Sequence, residues 1–158
     1  MKKVPVTQAT RVLKAAGVEF SDHLYTYEER GGTTVSAREL GVEEHSVIKT
    51  LIFEDDRKQP LVVLMHGDAQ VSARTLARFI GARSAEPCLP EVAEKHSGYK
   101  VGGTSPFGLK KKLPIYAEAT IRDLPRLYIN GGARGYLVGI SPDDLEKLLN
   151  PSWVTVLR

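Results

Sequence analysis

Hydrophobic residues recur at helical spacing in five segments of the chain. Over residues 7–16 they follow one another at intervals of three and four, which predicts a helix that Gly17 ends. Ser36 and Glu39 form a Ser-x-x-Glu capping box, which predicts the start of a second, short helix that Gly41 ends. The other predicted helices cover residues 72–79, 90–96 and the segment that Ser141-Pro142 opens.

Apolar runs rich in β-branched residues lie between the predicted helices. Residues 47–54 and 61–66 flank a polar segment, which predicts a β-hairpin. Further strands are predicted over residues 20–27, 113–119, 126–130, 135–140 and 153–157. Hairpins with helices interspersed irregularly indicate an α+β fold and not a regular doubly wound sheet. Because no linker or repeat interrupts the pattern, residues 1–158 are interpreted as a single domain.

Composition adds an expected cellular location. The chain has 158 residues and a net charge of +3, and no apolar run approaches the roughly 20 residues that a membrane span needs. Lysines near the N-terminus precede no apolar segment of the kind found in secretory signals. Cys88 is the only cysteine, so no intrachain disulfide can form. These features predict a cytoplasmic protein with neither a membrane partner nor a DNA partner.

The positive charge is concentrated in one stretch of the chain. Residues 95–114 contain five lysines and no acidic residue. Such a stretch either contacts phosphates through counterion release or is a loop that lysines keep solvated. Glycines and aromatic residues are interleaved with the charges, which favours contact with phosphates.

Lys49 is the most informative single residue. The period of a strand places it on the same face as Val47, Leu51 and Phe53, which are apolar. A lysine on such a face either extends to water at the end of the sheet, which is the commoner arrangement, or enters a cavity with a function. In a cavity it would offer a fixed positive charge to a phosphate or to a developing oxyanion.

Two clusters of glycines mark loops. Residues 98–108 contain four glycines and predict a binding loop, or alternatively a flexible surface loop. This segment is not a P-loop, because Leu109 occupies the position that would need lysine. The second cluster, beginning at Asn130-Gly131, is fully explained as the turn of a hairpin.

The usual catalytic sets are absent from the sequence. It has no His-x-x-x-His, Cys-x-x-Cys or Gly-x-Ser-x-Gly pattern, so neither a metal nor a cofactor is predicted. The four histidines are scattered and are interpreted as surface or strand-end residues. Cys88 is interpreted as a small buried hydrophobic residue and not a nucleophile. A hydrolase without these catalytic residues would depend on positioning its substrate, on backbone hydrogen-bond donors and on reactive groups of the substrate itself.

Residues 99–114, with the sequence YKVGGTSPFGLKKKLP, resemble the GY-x-VGG-x-SP-x-G-x-KK block of the YbaK/ProX family. That family includes the bacterial cysteinyl-tRNA(Pro) deacylases and the editing insertion domain of prolyl-tRNA synthetase. Residues 47–51 resemble the family's strand with a pocket lysine, and residues 131–135 and 142–145 resemble its final hairpin and helix. The resemblance follows the same order over nearly the whole chain.

This resemblance implies a bent, partly barrel-like mixed β-sheet flanked by helices, with a pocket for the aminoacylated 3′ end of tRNA. In that pocket Lys49 would hold the polar backbone of the substrate, and Gly102 and Gly103 would donate N–H groups to the ester region. The resemblance assigns substrate binding to Tyr25, Thr104, Ser105, Pro106, Asn130, Gly131 and Gly132. It assigns contact with the acceptor stem to Lys110, Lys111 and Lys112.

The implied activity is trans-editing of misacylated tRNA, above all cysteinyl-tRNA(Pro), in which the substrate's own thiol and terminal ribose assist the cleavage. Prolyl-tRNA synthetase is a further implied partner. Alternatives are deacylation of alanyl-, seryl- or threonyl-tRNA, and a module that binds tRNA or a synthetase without catalysis. The chain departs from the deacylases at three positions, where they carry an aromatic residue near Gly32, a serine at Asn130 and an acidic residue near Leu137.

Overall fold

Eight strands form one mixed sheet, and five α-helices accompany it, in the part of the chain that the computed structural model describes, residues 3–158. Met1 and Lys2, part of the N-terminal segment discussed above for secretion, lie outside that range. The α-helices are α1 (Gln8–Ala15), α2 (Gly32–Leu40), α3 (Ala73–Ile80), α4 (Pro90–Ser97) and α5 (Pro142–Leu149). The strands are β1 (Ser21–Leu24), β2 (Val47–Asp55), β3 (Pro60–His66), β4 (Ala85–Pro87), β5 (Ile115–Glu118), β6 (Leu127–Ala133), β7 (Tyr136–Ile140) and β8 (Ser152–Val154). Among these residues no helix has the length and apolar character needed to cross a bilayer.

Strand β2 lies at the centre of the sheet, whose order is β1-β7-β6-β2-β3-β5-β8. The β2–β3 hairpin is antiparallel and continuous from Ile48↔His66 to Glu54↔Pro60. On its other edge β2 pairs with β6 only at Val47 and Ile48, in parallel. The short strand β4 joins that same edge farther along, opposite residues 53–55. Between these two partners the edge of β2 is left open.

The two faces of the sheet bury separate hydrophobic clusters. Ile48 and Ile52 of β2 belong to the larger cluster, together with apolar residues of β6 and β7. Phe53 and alternate residues of β3 (Leu61, Val63 and Met65) form a second cluster with residues of α3. The alternation of side chains along β2 produces this division, because successive residues point to opposite faces.

Most of the predicted elements are confirmed. All five predicted helices form, and Thr7, Ser72 and Ser141 cap three of them with side-chain hydrogen bonds. The predicted hairpin of β2 and β3 is also confirmed. These elements depend on signals local in sequence, which explains why the amphipathic pattern and the caps were enough to find them.

Several details of the secondary-structure prediction were wrong. The hairpin turn predicted to begin at Asn130-Gly131 lies at residues 134–135, because β6 continues through an irregular register as far as Ala133. The capping box at Ser36 does not form, because α2 begins four residues earlier, and the Ser36 hydroxyl donates instead to the Thr33 carbonyl oxygen at 3.2 Å. The strand predicted over residues 20–27 is limited to β1. Strand β4 was not predicted, because three residues that end in proline carry no periodic signal.

Candidate functional site

A cavity of about 710 Å³ opens where the edge of β2 is unpaired. Six consecutive residues of β2, 47–52, line it. Consecutive strand residues point to opposite faces, so a cavity on one face would contact only every second one. The cavity therefore lies in a cleft of the sheet itself, between β6 and β4, where it meets the main chain of β2.

Thr50 lines this cleft in the gap between β6 and β4, where the register gives this edge of β2 no strand partner within residues 3–158. The Val47 carbonyl accepts a hydrogen bond from Gly67 on the β3 side, whereas the Ile52 carbonyl accepts one from Cys88 on the other side. Because these directions alternate along a strand, the N–H and C=O of Thr50 point into the cleft. Its hydroxyl Oγ1 is buried and has no hydrogen-bond partner within residues 3–158. Sequence analysis missed Thr50, since a threonine in a strand carries no distinguishing signal.

Lys49 also lines the cavity and is half buried. Its Nζ donates one hydrogen bond, of 2.6 Å, to the Ala69 carbonyl oxygen. An ammonium group has three N–H donors, so two remain for a ligand. Burial lowers the pKa of Lys49 below its ordinary value, and the carboxylates of Glu44 and Asp68 act in the opposite direction. Lys49 thus occupies a cavity and does not simply extend into solvent.

The predicted glycine loop, residues 98–108, supplies one of the two expected backbone donors. Gly102 lines the cavity, and its N–H donates to no acceptor within residues 3–158. A side chain at Gly102 could not fit, because its φ is +89° and a Cβ would lie 2.6 Å from Tyr27 Oη. Gly103 is buried, and its N–H is already bonded to the Lys100 carbonyl oxygen at 2.8 Å. That bond leaves the Gly103 N–H unavailable to an ester.

Two side chains of the β6–β7 hairpin hold the glycine loop in place. Asn130 Nδ2 donates to the Gly102 carbonyl oxygen at 3.0 Å, while its Oδ1 accepts from the N–H of Gly132 at 2.6 Å. Arg134 Nε donates to the Val101 carbonyl oxygen at 2.9 Å. The amide nitrogen of Asn130 thus holds the glycine loop, while its amide oxygen accepts from the N–H groups of Gly132 and Ala133 within the hairpin itself. The Asn130 side chain also borders the cavity.

The remaining residues predicted to bind substrate divide into three groups. Tyr25 and Thr104 line the cavity. Ser105, Pro106 and Gly131 are buried and are not part of its lining. Gly132 borders, with Gly103, a separate, smaller hollow of about 340 Å³. The loop that the sequence pattern indicated therefore borders the cavity, but only some of its residues face it.

The three lysines predicted to contact tRNA are not equivalent. Lys110 and Lys112 are exposed, as contact with phosphates requires. Lys111 is exposed too, but its Nζ donates to His96 Nδ1 at 2.8 Å. His96 itself is buried in α4, so the interpretation of every histidine as a surface or strand-end residue was wrong for it.

The cavity contains no conventional nucleophile with an adjacent base. Within residues 3–158 no histidine lines it. Cys88 does line it, but burial, first of all, raises the pKa of its thiol to about 11. At pH 7 about one such thiol in 10⁴ is ionised, too few for an activated nucleophile. Cys88 is partly buried against the larger hydrophobic cluster, and it is less enclosed than the buried hydrophobic residue that was predicted.

All three positions at which the chain departs from the deacylases it resembles lie in this cavity. Gly32, Asn130 and Leu137 each contribute to its lining. Leu137 is buried and packs with Val47 and Ala37 in a small apolar cluster. An acidic residue at that place would put a negative charge where this part of the cavity wall is apolar. The departures therefore alter the shape and polarity of the cavity itself.

Comparison with known proteins agrees with this geometry. The family model of the aminoacyl-tRNA editing domain matches residues 29–148. EbsC of Enterococcus faecalis, named as a candidate Cys-tRNA(Pro)/Cys-tRNA(Cys) deacylase, is 25% identical over 151 residues, which are 95% of this chain and 92% of EbsC. The proline–tRNA ligase of Streptococcus equi subsp. zooepidemicus is 34% identical over 105 residues, 66% of this chain but 17% of the ligase.

Solved structures extend the agreement to the fold. The crystal structure of a candidate trans-editing enzyme for prolyl-tRNA synthetase superposes with a TM-score of 0.82 at 20% identity. The superposition covers 98% of this chain and 99% of the other. At that identity the likeness shows the fold, and it confirms the predicted α+β architecture of a mixed sheet with flanking helices.

The two hairpin side chains that hold the glycine loop should limit its opening. Replacing Asn130 or Arg134 by alanine removes one or more hydrogen bonds of about 1 kcal/mol each, so amide exchange over residues 101–104 should accelerate about fivefold. Hydrogen–deuterium exchange with mass spectrometry measures this. Arg122→Ala is the matched control for Arg134→Ala. Both arginines are exposed, and each stacks over an aromatic ring, Arg122 over Trp153 and Arg134 over Tyr27. Unchanged exchange in both test variants would show that the loop is held by other contacts.

Proposed function

The chain belongs to the aminoacyl-tRNA editing domain family, and on that premise we propose that it is a trans-editing deacylase whose preferred substrate is cysteinyl-tRNA(Pro). The cleft in the sheet supports this proposal most directly. A cationic Lys49, the open backbone of Thr50 and the N–H of Gly102 border one cavity of about 710 Å³. That volume lies in the usual range for small-ligand sites, about 300–1,000 Å³.

Each of these groups has a place in the proposed complex. The Lys49 ammonium keeps two donors for the polar groups of the aminoacyl ester. The N–H of Gly102 approaches the ester from the opposite wall, where the absence of a side chain permits close contact. The N–H, C=O and hydroxyl of Thr50 pair with the aminoacyl moiety along the open strand edge.

The reaction needs a nucleophile that the cavity does not supply, and a cysteinyl substrate carries one. Its thiolate attacks the ester carbonyl, so that a C–S bond forms and the bond from the carbonyl carbon to the ribose oxygen breaks. The ribose oxygen leaves with a proton from water, and the amino acid departs as a cyclic thioester. The protein contributes orientation, for which well-aligned intramolecular reactions gain about 7–11 kcal/mol.

The body of the tRNA lies outside the cavity in this proposal. Lys110 and Lys112 are exposed on the segment that follows the glycine loop, and they meet the phosphates of the acceptor stem. Names of relatives support the partner class: EbsC is named for Cys-tRNA(Pro) and Cys-tRNA(Cys), and the streptococcal relative is a proline–tRNA ligase. We therefore include prolyl-tRNA synthetase as a partner and the cytoplasm as the location.

Lys49→Met is the first test, because methionine keeps the length of the side chain and removes the charge. Loss of one preorganised charged donor should lower kcat/KM for deacylation of cysteinyl-tRNA(Pro) about 100-fold or more. Release of labelled cysteine from the misacylated tRNA measures this, with circular dichroism as the check of folding. Lys147→Met removes an exposed lysine of α5 and serves as control. Near-normal turnover by Lys49→Met would refute the assignment of this cavity as the active site.

Thr50→Val separates stability from function. The buried Thr50 hydroxyl lacks a partner in the free protein, so its replacement by a methyl group should raise the free energy of unfolding by about 1 kcal/mol. If the hydroxyl bonds to substrate, the same change should lower kcat/KM about fivefold. Urea denaturation and deacylation assays on one preparation give both values. Thr155→Val, at an exposed position, is the control. A Thr50→Val variant with greater stability and unchanged deacylation activity would show that the Thr50 hydroxyl does not contact the substrate.

The choice of amino acid tests the chemistry. A thiol with a pKa near 8.5 supplies a few per cent of thiolate at neutral pH, whereas a hydroxyl supplies almost none. Cysteinyl-tRNA(Pro) should therefore be cleaved at least about 100-fold faster than seryl-tRNA(Pro), more than a pocket gains from one small group, about 1–3 kcal/mol. Equal rates, or a preference for alanyl- or threonyl-tRNA, would show that a bound water attacks the ester. Binding of tRNA without any cleavage would favour the non-catalytic module.

A further inference from the structure

Three side chains with different donor atoms meet beside the cavity, and one of them, Cys88, is part of its lining. They are the carboxylate of Glu54, the thiol of Cys88 and the imidazole of His96, and their ligand atoms all lie within 4.8 Å of one another. Glu54 belongs to β2, Cys88 directly follows β4, and His96 belongs to α4. The sequence gives no sign of this cluster, because intervals of 34 and 8 residues match no metal-binding motif.

The backbone fixes the positions of these three side chains. Strand β4 pairs with β2 next to Glu54, and the N–H of Cys88 donates to the Ile52 carbonyl oxygen at 2.9 Å. The side chains of His96 and Glu54 are only 11% and 16% exposed. A cluster held by a sheet and a helix, and largely withdrawn from solvent, meets the requirement of a preorganised binding site.

We propose that Glu54, Cys88 and His96 form a binding site for a thiophilic divalent cation of the Zn²⁺ class. Thiolate, imidazole and carboxylate are the three side-chain ligands that Zn²⁺ takes, at about 2.0–2.3 Å. Tetrahedral geometry at those lengths separates ligand atoms by about 3.3–3.8 Å. The distances between the ligand atoms in the structure lie on both sides of these values. His96 Nε2 lies 2.9 Å from Glu54 Oε2, and no pair of ligand atoms is more than 4.8 Å apart. Adjustments of about 1 Å or less therefore suffice.

The fourth coordination position faces the cavity. Cys88 is part of the cavity lining, and Pro87 and Ala93 border the cavity beside it. Solvent can reach the cation from that side, and a water molecule completes the tetrahedron. A site with three protein ligands and one accessible position differs from a closed structural zinc site. The proposal concerns metal binding alone and does not depend on the tRNA substrate.

Lys111 competes with the cation. Its Nζ donates to His96 Nδ1 at 2.8 Å, which places the single proton of the neutral imidazole on Nε2, where it donates to Glu54. A metal bound at Nε2 shifts that proton to Nδ1. The N–H at Nδ1 and the Lys111 ammonium are then both donors, so Lys111 must move away from His96. Withdrawal is feasible because Lys111 is exposed. A cation at this site consequently releases Lys111 from His96.

Titration of the full chain, prepared without a histidine tag, with Co²⁺ tests the site directly. Tetrahedral Co²⁺ bound to a thiolate gives a near-ultraviolet charge-transfer band and visible d–d bands. Because Cys88 is the only cysteine, a thiolate band from the monomeric protein can arise at no other residue. We expect both sets of bands to saturate at one equivalent and to disappear when Zn²⁺ is added.

Variants make the result specific. Cys88→Ser should abolish the charge-transfer band, and Glu54→Gln should weaken Co²⁺ binding at least about tenfold. Lys111→Met changes an exposed residue, so it threatens folding least, and it should strengthen Co²⁺ binding about tenfold by removing the competing donor. His45→Gln removes an exposed histidine elsewhere and should leave the spectrum unchanged. Absence of the bands in the folded wild-type protein, or a Lys111→Met variant that binds Co²⁺ no better, would overturn the proposal.

Discussion

On one edge, strand β2 has no neighbouring strand to pair with over part of its length. The cavity of the candidate site opens at this gap. Strand β3 covers the first edge of β2 completely, but β6 leaves the second edge after Ile48, and β4 joins it only at Phe53. A gap in a sheet normally costs free energy, because buried N–H and C=O groups need partners. Here the gap widens into a cavity, so that water or a ligand can pair with Thr50. The main chain at the centre of the fold thus becomes a binding surface.

Charge and polarity at this gap are unfavourable for stability and favourable for binding. Lys49 occupies a largely apolar strand face, and the Thr50 hydroxyl is buried without a partner. Each arrangement costs free energy in the free protein. A ligand that pairs with these groups recovers that cost when it binds. Such local conflicts between stability and function are expected at active sites and are uncommon elsewhere in a fold.

The sequence predicted those parts of the structure that depend on neighbouring residues. The helix caps at Ser72 and Ser141 and the β2–β3 hairpin are specified within a few positions, and all were predicted. The gap beside Thr50 is not local, since it arises from the parallel approach of β6, about 80 residues farther along the chain. The period of a strand indicated Lys49 and the clustered glycines indicated the glycine loop, and the resemblance to a known family assigned both to one pocket. It could not show that the Gly103 N–H is already bonded, nor that Lys111 reaches His96.

The rigidity of the glycine loop explains how a cavity without a nucleophile can support catalysis. Asn130 and Arg134 hold the carbonyl groups of Gly102 and Val101 from the β6–β7 hairpin, so the neighbouring N–H of Gly102 keeps one direction. When the attacking group belongs to the substrate, the protein can accelerate the reaction only by fixing ester and attacking atom relative to each other. Lys49 and Gly102 line the same cavity, so the proposed chemistry needs both to be held in place. Gly32 and Leu137 line that cavity as well, and for this reason the departures at these positions bear on the proposed choice of amino acid.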